Sequence, residues 1–477
     1  MADAWRMYLG GEWVESGNTL SVTNPYDNSL TGVVHLAKAE HFTHAIDLAE
    51  KAFDETKRLP SYKRAQICSA ISSGIDERKE SFARMLTMEM GKTIREARGE
   101  VGRAVSTFAI AAEETKRIGG ELMDLDWIPG HDRRLGIIRR FPLGVIGGIA
   151  PFNFPLNLVA HKVAPAIASG NTIVLKPASK TPIVALMLAE LVDETDFPKG
   201  AFSVLPAPGG AASPLVEDER VKLLTFTGSG EVGWGLQHQS KGKRVALELG
   251  GNAGVIVADD ADLGYAITRI VFGGFAQAGQ SCISVQRIYI QSGVYEAFLE
   301  GFLPKVDALE MGDPLDERTD IGPMVDDEAV SKVLRWIDDA KAKGAKILTG
   351  GHADGRMFHP TVLADVDPSC DVSCSEVFAP LVVVAKYDKL GEAVEAVNDS
   401  RYGLQAGIFT NRFNDIWRVF EGVETGGVVV NDVPTYRADQ MPYGGVKESG
   451  MGREGLRFAI EEMTEIKILA VNLGAGD

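Results

Sequence analysis

One cysteine of the chain lies in a segment that suits a reactive thiol. Cys282 stands among small residues in GFAQAGQSCISVQR. A free thiol has a pKa of about 8.5, so a nucleophilic cysteine needs surroundings that favour the thiolate. Gly279 lets the backbone approach closely, and the QSC turn predicts an exposed sulfur. Composition alone nevertheless favours an inert, buried thiol.

A glycine-rich turn and a downstream acid form a second candidate pair. Residues 228–233 match GxGxxG between the apolar run KLLTFT and a predicted helix, which is typical of a pyrophosphate site at a helix N-terminus. Glu248 follows at the spacing of about 20 residues expected of an acid that holds the adenosine ribose. A lone match of this kind is a weak signal, so the motif alone leaves that role open.

Other short patterns carry no chemistry. Gly91-Lys92-Thr93 resembles the end of a phosphate-binding loop, but Leu86 occupies the position of its first glycine. His41 and His44 are interpreted as a surface pair, and no metal site is expected. Two further cysteines, Cys370 and Cys374, are interpreted as structural.

The bulk composition excludes several classes of function. A chain of 477 residues is too long for one core, so two or more domains are expected. The formal charge of −17 argues against nucleic-acid binding, because no basic surface exists to neutralise phosphates. We find no polybasic membrane patch, apolar span or secretory signal. Four cysteines do not make a disulfide framework, so a cytoplasmic protein with reduced thiols is expected.

The pattern of elements predicts an α/β protein. Helical spacing covers residues 39–58, 62–90 and 92–117, and residues 121–141 are strand-like. From about residue 143, short apolar runs alternate with helices, which predicts parallel sheets wrapped by helices. The tail IKILAVN is an apolar strand without a local partner, and such a strand can pair with another subunit, which suggests an oligomer.

Several segments, in order, resemble the aldehyde dehydrogenase superfamily. ELGGN followed by GQSC is similar to the signature pair of that family. Further matches are IAPFNFPLNL, GNTIVLKPAS, TFTGSGEVG, SEVFAPLV, YGLQAGIFT and MPYGGVKESGMGREG. The resemblance extends from about residue 8 to residue 470.

The resemblance implies a particular architecture. It is a Rossmann-like cofactor domain over residues 1–119 and 142–249, with a return segment at 436–463. An α/β catalytic domain occupies residues 250–435. A small β extension, residues 120–141 and 464–477, serves oligomerisation, and a homodimer or homotetramer is expected.

The resemblance also implies a reaction, the NAD(P)-dependent oxidation of an aldehyde to an acid. Cys282 attacks the aldehyde, which divides the oxidation into a thiohemiacetal and a thioester step. Asn153 and the backbone N–H of Cys282 stabilise the oxyanion. Glu248 activates the water that hydrolyses the thioester, and this role replaces its ribose alternative.

Cofactor residues follow from the same resemblance. The positions that match them are Pro151, Phe152, Lys176, Ser179, Gly228, Ser229, Glu376 and Phe378. Members that prefer NAD often carry Glu where this chain has Ser179, followed by Lys180. Serine removes a repulsion of the 2′-phosphate and the lysine attracts it, so we expect NADP to be accepted, with NAD still used.

The predicted substrate pocket is polar. Its candidate residues are Asn157, His161, Arg103, Arg437, Tyr443 and Ser281. Buried polar groups need partners, which implies a polar substrate. The pattern also resembles subfamilies that act on small hydroxy- or anionic aldehydes, such as lactaldehyde, succinic semialdehyde or glyceraldehyde 3-phosphate. The two arginines either clamp the anionic group of the substrate or form internal ion pairs. Ser281 argues against the phosphorylated substrate, since some members that take it have arginine there.

Two alternatives remain. Coenzyme A in place of water would make an acylating dehydrogenase, but Glu248 would then be unneeded. A catalytically silent structural member is the other alternative, and the presence of Asn153, Glu248 and Cys282 argues against it.

Overall fold

The computed structural model describes residues 4–474, and residues 1–3 and 475–477 of the predicted segments lie outside it. Its longer helices are Ala39–Thr56, Ser61–Glu77, Lys79–Met90, Ile94–Arg117, Asn157–Ser169, Ile183–Asp193, Gly230–Gln239, Leu263–Phe275, Tyr295–Asp307, Asp327–Ala342, Leu390–Asn398 and Phe413–Gly422. Shorter helices are Ser213–Glu217, Asp371–Cys374 and Leu456–Glu462, with 3₁₀ turns at Gly209–Ala212, Ala276–Gly279 and Ser292–Val294.

The first large sheet has eight strands and a parallel centre. In spatial order they are Glu12–Val14, Met7–Leu9, Phe202–Val204, Thr172–Lys176, Val145–Ile149, Val221–Thr227, Arg244–Glu248 and Gly450–Met451. The five strands between Phe202 and Glu248 in that order run parallel. Their residues are mostly apolar and buried because helices cover both faces of the sheet.

The second large sheet has seven strands. In spatial order they are Lys346–Thr349, Thr361–Ala364, Leu381–Tyr387, Val285–Gln291, Ala253–Val257, Gln405–Phe409 and Gly427–Val430. All neighbours are parallel except the first pair. The loop that carries Cys282 leads into a central strand of this sheet, Val285–Gln291.

A third sheet has three strands, all antiparallel. Its order is Thr464–Asn472, Arg134–Pro142 and Gly120–Asp124. Three two-stranded pairs complete the strands, namely Thr19–Thr23 with Leu30–His35, Ala353–Asp354 with Met357–Phe358, and Tyr402–Gly403 with Val446–Lys447.

Two expectations from the sequence need correction. The tail strand does have a partner within its own chain, because Thr464–Asn472 pairs along its whole length with Arg134–Pro142. Sequence separation hid that partner. The predicted helix over 62–90 is two helices, since Arg78 leaves the helical region with φ −102° and ψ 17°.

Candidate active site

The carboxyl ends of four neighbouring parallel strands meet at one edge of the first sheet. Ile149 is in register with Lys176 and with Phe226, and Thr227 is in register with Glu248. The segments that follow these strands therefore converge. Ligands of open α/β sheets bind at this edge, so the fold itself gathers residues that lie far apart in sequence.

Cys282 reaches this edge from the opposite side, on a turn that needs unusual backbone angles. Gln277 and Ala278 have φ of 54° and 52°, and Gly279 has φ of 66°. A Cβ on Gly279 would lie 2.0 Å from the carbonyl oxygen of Ala379, so only glycine fits there. The half-buried Cys282 Sγ lies 3.2 Å from the hydroxyl oxygen of Tyr443.

The surroundings of Cys282 hold its thiol protonated. Burial raises the pKa of Cys282 to about 12, the hydrogen bond with Tyr443 opposes the shift, and the carboxyl groups of Glu376 and Glu248 add to it. The sequence predicted surroundings that favour the thiolate, but those of Cys282 favour the thiol. The loss of water around the sulfur raises its pKa more than the hydrogen bond with Tyr443 lowers it. The proton must leave as the sulfur attacks.

Glu248 is a carboxyl group without a fixed partner. It is 7 % exposed, and within residues 4–474 its Oε2 has no hydrogen-bond partner. Burial and the nearby Glu454 carboxylate raise the pKa of Glu248 well above its usual value. A Cβ on Gly444 would lie 2.8 Å from Oε1, so glycine leaves room beside the carboxyl group. A buried, unpartnered carboxyl of raised pKa suits proton transfer near neutral pH.

Asn153 is buried beside the cysteine loop. Its side-chain Nδ2 donates to the carbonyl oxygen of Gln280 at 3.1 Å, which fixes the plane of the amide. Its own carbonyl oxygen accepts from Gln277 Nε2 at 2.7 Å. The amide of Asn153 is therefore tied directly to the turn that carries the sulfur.

The predicted cofactor residues line the same edge. Lys176 is 6 % exposed and donates to the carbonyl oxygen of Pro177 at 3.1 Å, and burial lowers the pKa of Lys176 to about 8. Glu376 accepts from the Gly251 amide at 3.0 Å, and burial raises the pKa of Glu376 to about 7. A Cβ on Gly250 would lie 2.6 Å from Glu376 Oε2, so the carboxyl group rests against bare backbone.

Two aromatic rings and a helix N-terminus complete that side. The rings of Phe152 and Phe378 meet edge to face at 5.9 Å, next to the half-buried Pro151, and Phe378 has a left-handed φ of 58°. Ser229 caps the helix Gly230–Gln239 without a side-chain hydrogen bond. The amide of Gly228 donates to the carbonyl oxygen of Glu248 at 3.0 Å. The first amides of a helix are donors suited to phosphate.

The two residues expected to read the 2′-position are both engaged. Ser179 Oγ donates to the carbonyl oxygen of Ala207 at 3.0 Å. Lys180 forms an ion pair with Asp326, and its ammonium lies 5.4 Å from the centre of the Phe152 ring. Lys180 is half exposed, so its pairing can exchange with a phosphate at modest cost.

The substrate side holds a buried ionic cluster. Arg437, with a side chain 5 % exposed, donates to Glu454 Oε2 at 2.7 Å and to His161 Nδ1 at 2.6 Å. Because arginine can only donate, His161 Nδ1 is unprotonated and Nε2 donates to Asp439 Oδ1 at 2.9 Å. Arg103 also donates to that oxygen, at 2.7 Å. Both arginines thus form internal ion pairs.

The same cluster retains unpaired donors. The Nε atoms of Arg103 and Arg437 are buried and have no hydrogen-bond partner in the described part of the chain. Asn157 Nδ2 approaches His161 at 3.3 Å, and Thr107 donates to Asn157 Oδ1 at 3.2 Å. Ser281 is half-buried next to the sulfur. Both arginines are therefore paired internally, and each keeps one unpaired N–H donor.

Burial opposes ionisation of the two acids in the cluster, but their partners prevail. Hydrogen bonding from His161 and the charge of Arg103 hold the pKa of Asp439 below its usual range. The charges of Arg437 and Lys162 do the same for the pKa of Glu454. Both acids are carboxylates at neutral pH, so they balance the arginines.

Comparison with known proteins decides the family. The model of the aldehyde dehydrogenase family matches residues 13–469. The chain belongs to this family. It is therefore an aldehyde dehydrogenase that oxidises an aldehyde to an acid with NAD or NADP, and the expected α/β fold and enzyme class are confirmed.

Relatives of this aldehyde dehydrogenase cover its whole length. The 3-sulfolactaldehyde dehydrogenase of Priestia aryabhattai is 43% identical over 468 residues, 98% of each chain. Aldehyde dehydrogenase 21 of Physcomitrella patens, solved with the reaction product succinate, is 44% identical with a TM-score of 0.98 over 99% of each chain. Glyceraldehyde-3-phosphate dehydrogenase of Methanocaldococcus jannaschii, solved with NADP, is 40% identical with a TM-score of 0.91, over 95% of this chain and 99% of that one.

Sequence reasoning missed several buried charges of this aldehyde dehydrogenase. Glu454 and Asp439 were not recognised as partners of the arginines. Lys162 is fully buried in an apolar helix and donates to Thr227 Oγ1 at 2.7 Å, and Lys92 contacts Asn153. A lone lysine inside NLVAHKVAPAIAS was the available signal, because unpaired charges are rarely buried.

The described residues contain neither a metal-holding cluster nor a membrane-spanning helix. Within residues 4–474, no group of three or more His, Cys, Asp or Glu side chains is arranged to hold a metal ion. None of the helices there combines the length and apolar character required to span a membrane.

Proposed function

We propose that the chain oxidises a small anionic aldehyde, one with a carboxylate, sulfonate or phosphate group, to the corresponding acid. One observation carries this proposal. The buried Arg437 guanidinium lies 3.7 Å from the centre of the Tyr443 ring, whose hydroxyl is 3.2 Å from Cys282 Sγ. A fixed cation thus stands one side chain away from the sulfur. A short aldehyde bound to that sulfur places its far end near the cation.

The relatives support the same class of substrate. The Priestia relative is named for a sulfonated aldehyde, and the Methanocaldococcus relative is named for a phosphorylated one. The Physcomitrella structure was solved with the dicarboxylate succinate. The common feature is an anionic group a few bonds from the reacting carbon. The unpaired Nε donors of Arg103 and Arg437 are suited to such a group.

The first chemical step assigned here belongs to Cys282. Its sulfur adds to the aldehyde carbon as the π electrons of the carbonyl move to oxygen, and the thiol proton passes to that oxygen to give a thiohemiacetal. The amide of Asn153 and the backbone N–H of Cys282 donate to the developing oxyanion. The raised pKa of the thiol makes deprotonation part of the attack rather than a prior equilibrium.

The cofactor residues are assigned from the family resemblance, and their positions at the carboxyl edge of the first sheet support the assignment. Lys176 is assigned to the adenosine ribose, Gly228 and Ser229 to the phosphates, and Glu376 and Phe378 to the nicotinamide ribose and ring. Pro151, Phe152 and Ser179 are assigned to the walls of this cleft. A nicotinamide cofactor held by these residues would supply the hydride acceptor for the oxidation. The bare backbone beside Glu376 and the uncapped helix after Ser229 fit such a ligand.

Hydrolysis of the resulting thioester is assigned to Glu248. Its unpartnered side chain, as the carboxylate, takes a proton from the water that attacks the thioester carbon. The carbon–sulfur bond then breaks, the acid is released, and the proton passes to the leaving sulfur to restore the Cys282 thiol. Asn157, His161 and Ser281 are assigned to the polar walls around the substrate. His161 also orients Arg437 through its unprotonated Nδ1.

The anionic substrate is tested by a pair of aldehydes of similar length. We compare succinic semialdehyde with butanal for the wild type, Arg437→Met and Arg103→Met. Loss of either arginine lowers kcat/KM for succinic semialdehyde by about 10- to 100-fold, since a hydrogen bond to a charged group contributes about 1.5–3 kcal/mol. Butanal is affected less.

A matched control is Arg95→Met, which removes a cation that pairs with Asp320 outside the cleft and leaves both rates unchanged. Equal losses for the two aldehydes in the Arg437 variant, or a wild type that prefers butanal, contradict the proposal. Equal losses of kcat/KM for the charged and the uncharged aldehyde would mean that the arginine only supports the fold.

The quaternary structure and cell compartment are further proposals. We propose a cytoplasmic homodimer or homotetramer, supported by four free cysteines and by the exposed apolar residues of the third sheet and its hairpin. These include Leu122, Trp127, Ile128, Ile137, Ile466, Ile468 and Leu469. The domain boundaries at residues 119, 142, 249, 435 and 463 belong to the same proposal.

A further inference from the structure

Lys92 is a buried cation outside the set of residues assigned to the reaction. It belongs to the Gly91-Lys92-Thr93 segment, which the sequence excluded as a phosphate-binding loop. Its side chain is fully buried, just before the helix Ile94–Arg117. The three N–H donors of a lysine buried in this way need acceptors inside the protein.

The three donors of Lys92 reach three separate parts of the chain. Lys92 Nζ donates to the carbonyl oxygen of Asn153 at 2.9 Å and to Gln277 Oε1 at 2.9 Å, and it forms an ion pair with Glu100. The ammonium also lies 4.5 Å from the centre of the Phe154 ring. One atom thus joins the loop of the proposed oxyanion donor to the loop of the proposed nucleophile.

Gln277 extends this connection toward the sulfur. Its Nε2 donates to the carbonyl oxygens of Asn153 at 2.7 Å and Gln280 at 3.1 Å. Asn153 Nδ2 donates to the same Gln280 oxygen at 3.1 Å. The left-handed backbone at Gln277 is unfavourable for a residue with a side chain, so these contacts must hold it in place.

Glu100 carries the connection to the substrate side. Its Oε1 accepts from the amides of Leu156 at 2.9 Å and Asn157 at 3.0 Å. These amides begin the helix Asn157–Ser169, which has no side-chain cap of its own from Leu156. The carboxylate that balances Lys92 therefore also caps the helix that bears His161.

We infer that Lys92 is a positioning residue that sets the distance and angle between the Asn153 amide and Cys282. Its ammonium fixes the two loops to one point, and Gln277 transmits that position to the cysteine turn. A displacement of about 1 Å between an oxyanion donor and a nucleophile costs about 100-fold in rate. This inference rests on the proposed roles of Cys282 and Asn153.

Two substitutions separate positioning from folding. Lys92→Met removes all three contacts and leaves Glu100 without its cation. Gln277→Leu removes only the link between the loops and keeps the Lys92–Glu100 pair, so it preserves the buried charge balance. Lys243→Met is the matched control, because Lys243 donates to the carbonyl oxygens of Leu215 and Asp218, away from both loops.

The rate is measured per competent site. Competent sites are counted by alkylation of Cys282 with iodoacetamide and mass spectrometry, and the first turnover is followed as reduced cofactor in a stopped-flow instrument. We expect the first-turnover rate per site to fall about 100-fold in Lys92→Met and Gln277→Leu, with the KM for the cofactor unchanged. Lys243→Met keeps the rate of the wild type.

The outcomes distinguish the inference from the proposed function. If alkylation of Cys282 fails to inactivate the wild type, the proposed nucleophile is wrong. If alkylation inactivates the wild type, but Gln277→Leu and Lys92→Met keep its rate per site, only the positioning role is overturned. A loss confined to the number of competent sites, with an unchanged rate per site, likewise overturns it.

Discussion

Burial raises the pKa of both Cys282 and Glu248. Each loses water on folding, so the pKa of the thiol rises to about 12 and the pKa of the carboxyl rises well above its usual value. Burial shifts the ionisation of both groups toward the neutral form. Attack and hydrolysis therefore each require a proton to move, and the pH dependence of the enzyme should report the carboxyl group.

Replacing Glu248 by glutamine tests its role as base. We expect Glu248→Gln to keep a first burst of reduced cofactor and to lower the steady rate by about 100- to 10,000-fold, because only thioester hydrolysis needs the carboxylate. In the wild type the steady rate falls as pH drops through the raised pKa of Glu248, since protonation removes the base. The variant lacks this acidic limb. Stopped-flow and steady-state pH profiles measure both, and an unchanged steady rate would return Glu248 to the ribose role.

Ser179 follows the strand Thr172–Lys176, at the edge of the first sheet where ligands of such folds bind. We expect Ser179→Glu to lower kcat/KM for NADP by about tenfold or more relative to NAD, since a carboxylate there repels the 2′-phosphate. The steady-state ratio of the two cofactors measures this effect. Ser179→Ala is the control without a charge, and the assignment fails if the glutamate variant keeps the ratio of the alanine variant.

At the scale of elements, much of the architecture follows from local patterns. The alternation of apolar runs and helices after residue 143 is realised in two largely parallel sheets, and the register of Thr227 with Glu248 explains why distant motifs converge. The sequence did not predict the pairing of Thr464–Asn472 with Arg134–Pro142, because long-range antiparallel pairing leaves no local signal. It also missed the left-handed turn at Gln277, which only its tertiary contacts hold in place.

The sequence motifs pointed to some residues of the candidate site, whereas other features of the site are visible only in the folded structure. Motif resemblance led to the proposal of Cys282 as nucleophile, Asn153 as oxyanion donor and Glu248 as base. It could not reveal that Arg437 pairs with Glu454, or that His161 lies between two acids, since those contacts depend on packing across the whole cleft. The buried ionic cluster is a property of the folded molecule.

The exposed apolar face of the third sheet bears on the molecule as a whole. Ile468 is 54% exposed on the outer strand, and such surfaces mark association. We expect Ile468→Glu to shift the protein toward monomers, because a charge buried in an interface costs several kcal/mol. Sedimentation velocity measures the shift. Leu315→Glu places the same charge on an exposed leucine outside this sheet and should leave the assembly intact, and an unchanged assembly in Ile468→Glu contradicts the assigned surface.

The central claim is that the substrate carbon is held on Cys282 during oxidation, and one measurement tests it directly. Glu248→Gln protein is mixed with succinic semialdehyde and NADP, quenched with acid after the first turnover, digested and examined by mass spectrometry. The account predicts a succinyl thioester on Cys282 that hydroxylamine removes, and neither adduct nor reduced cofactor in the Cys282→Ala control. Reduced cofactor without an adduct on Cys282, or an adduct on another residue, would contradict it.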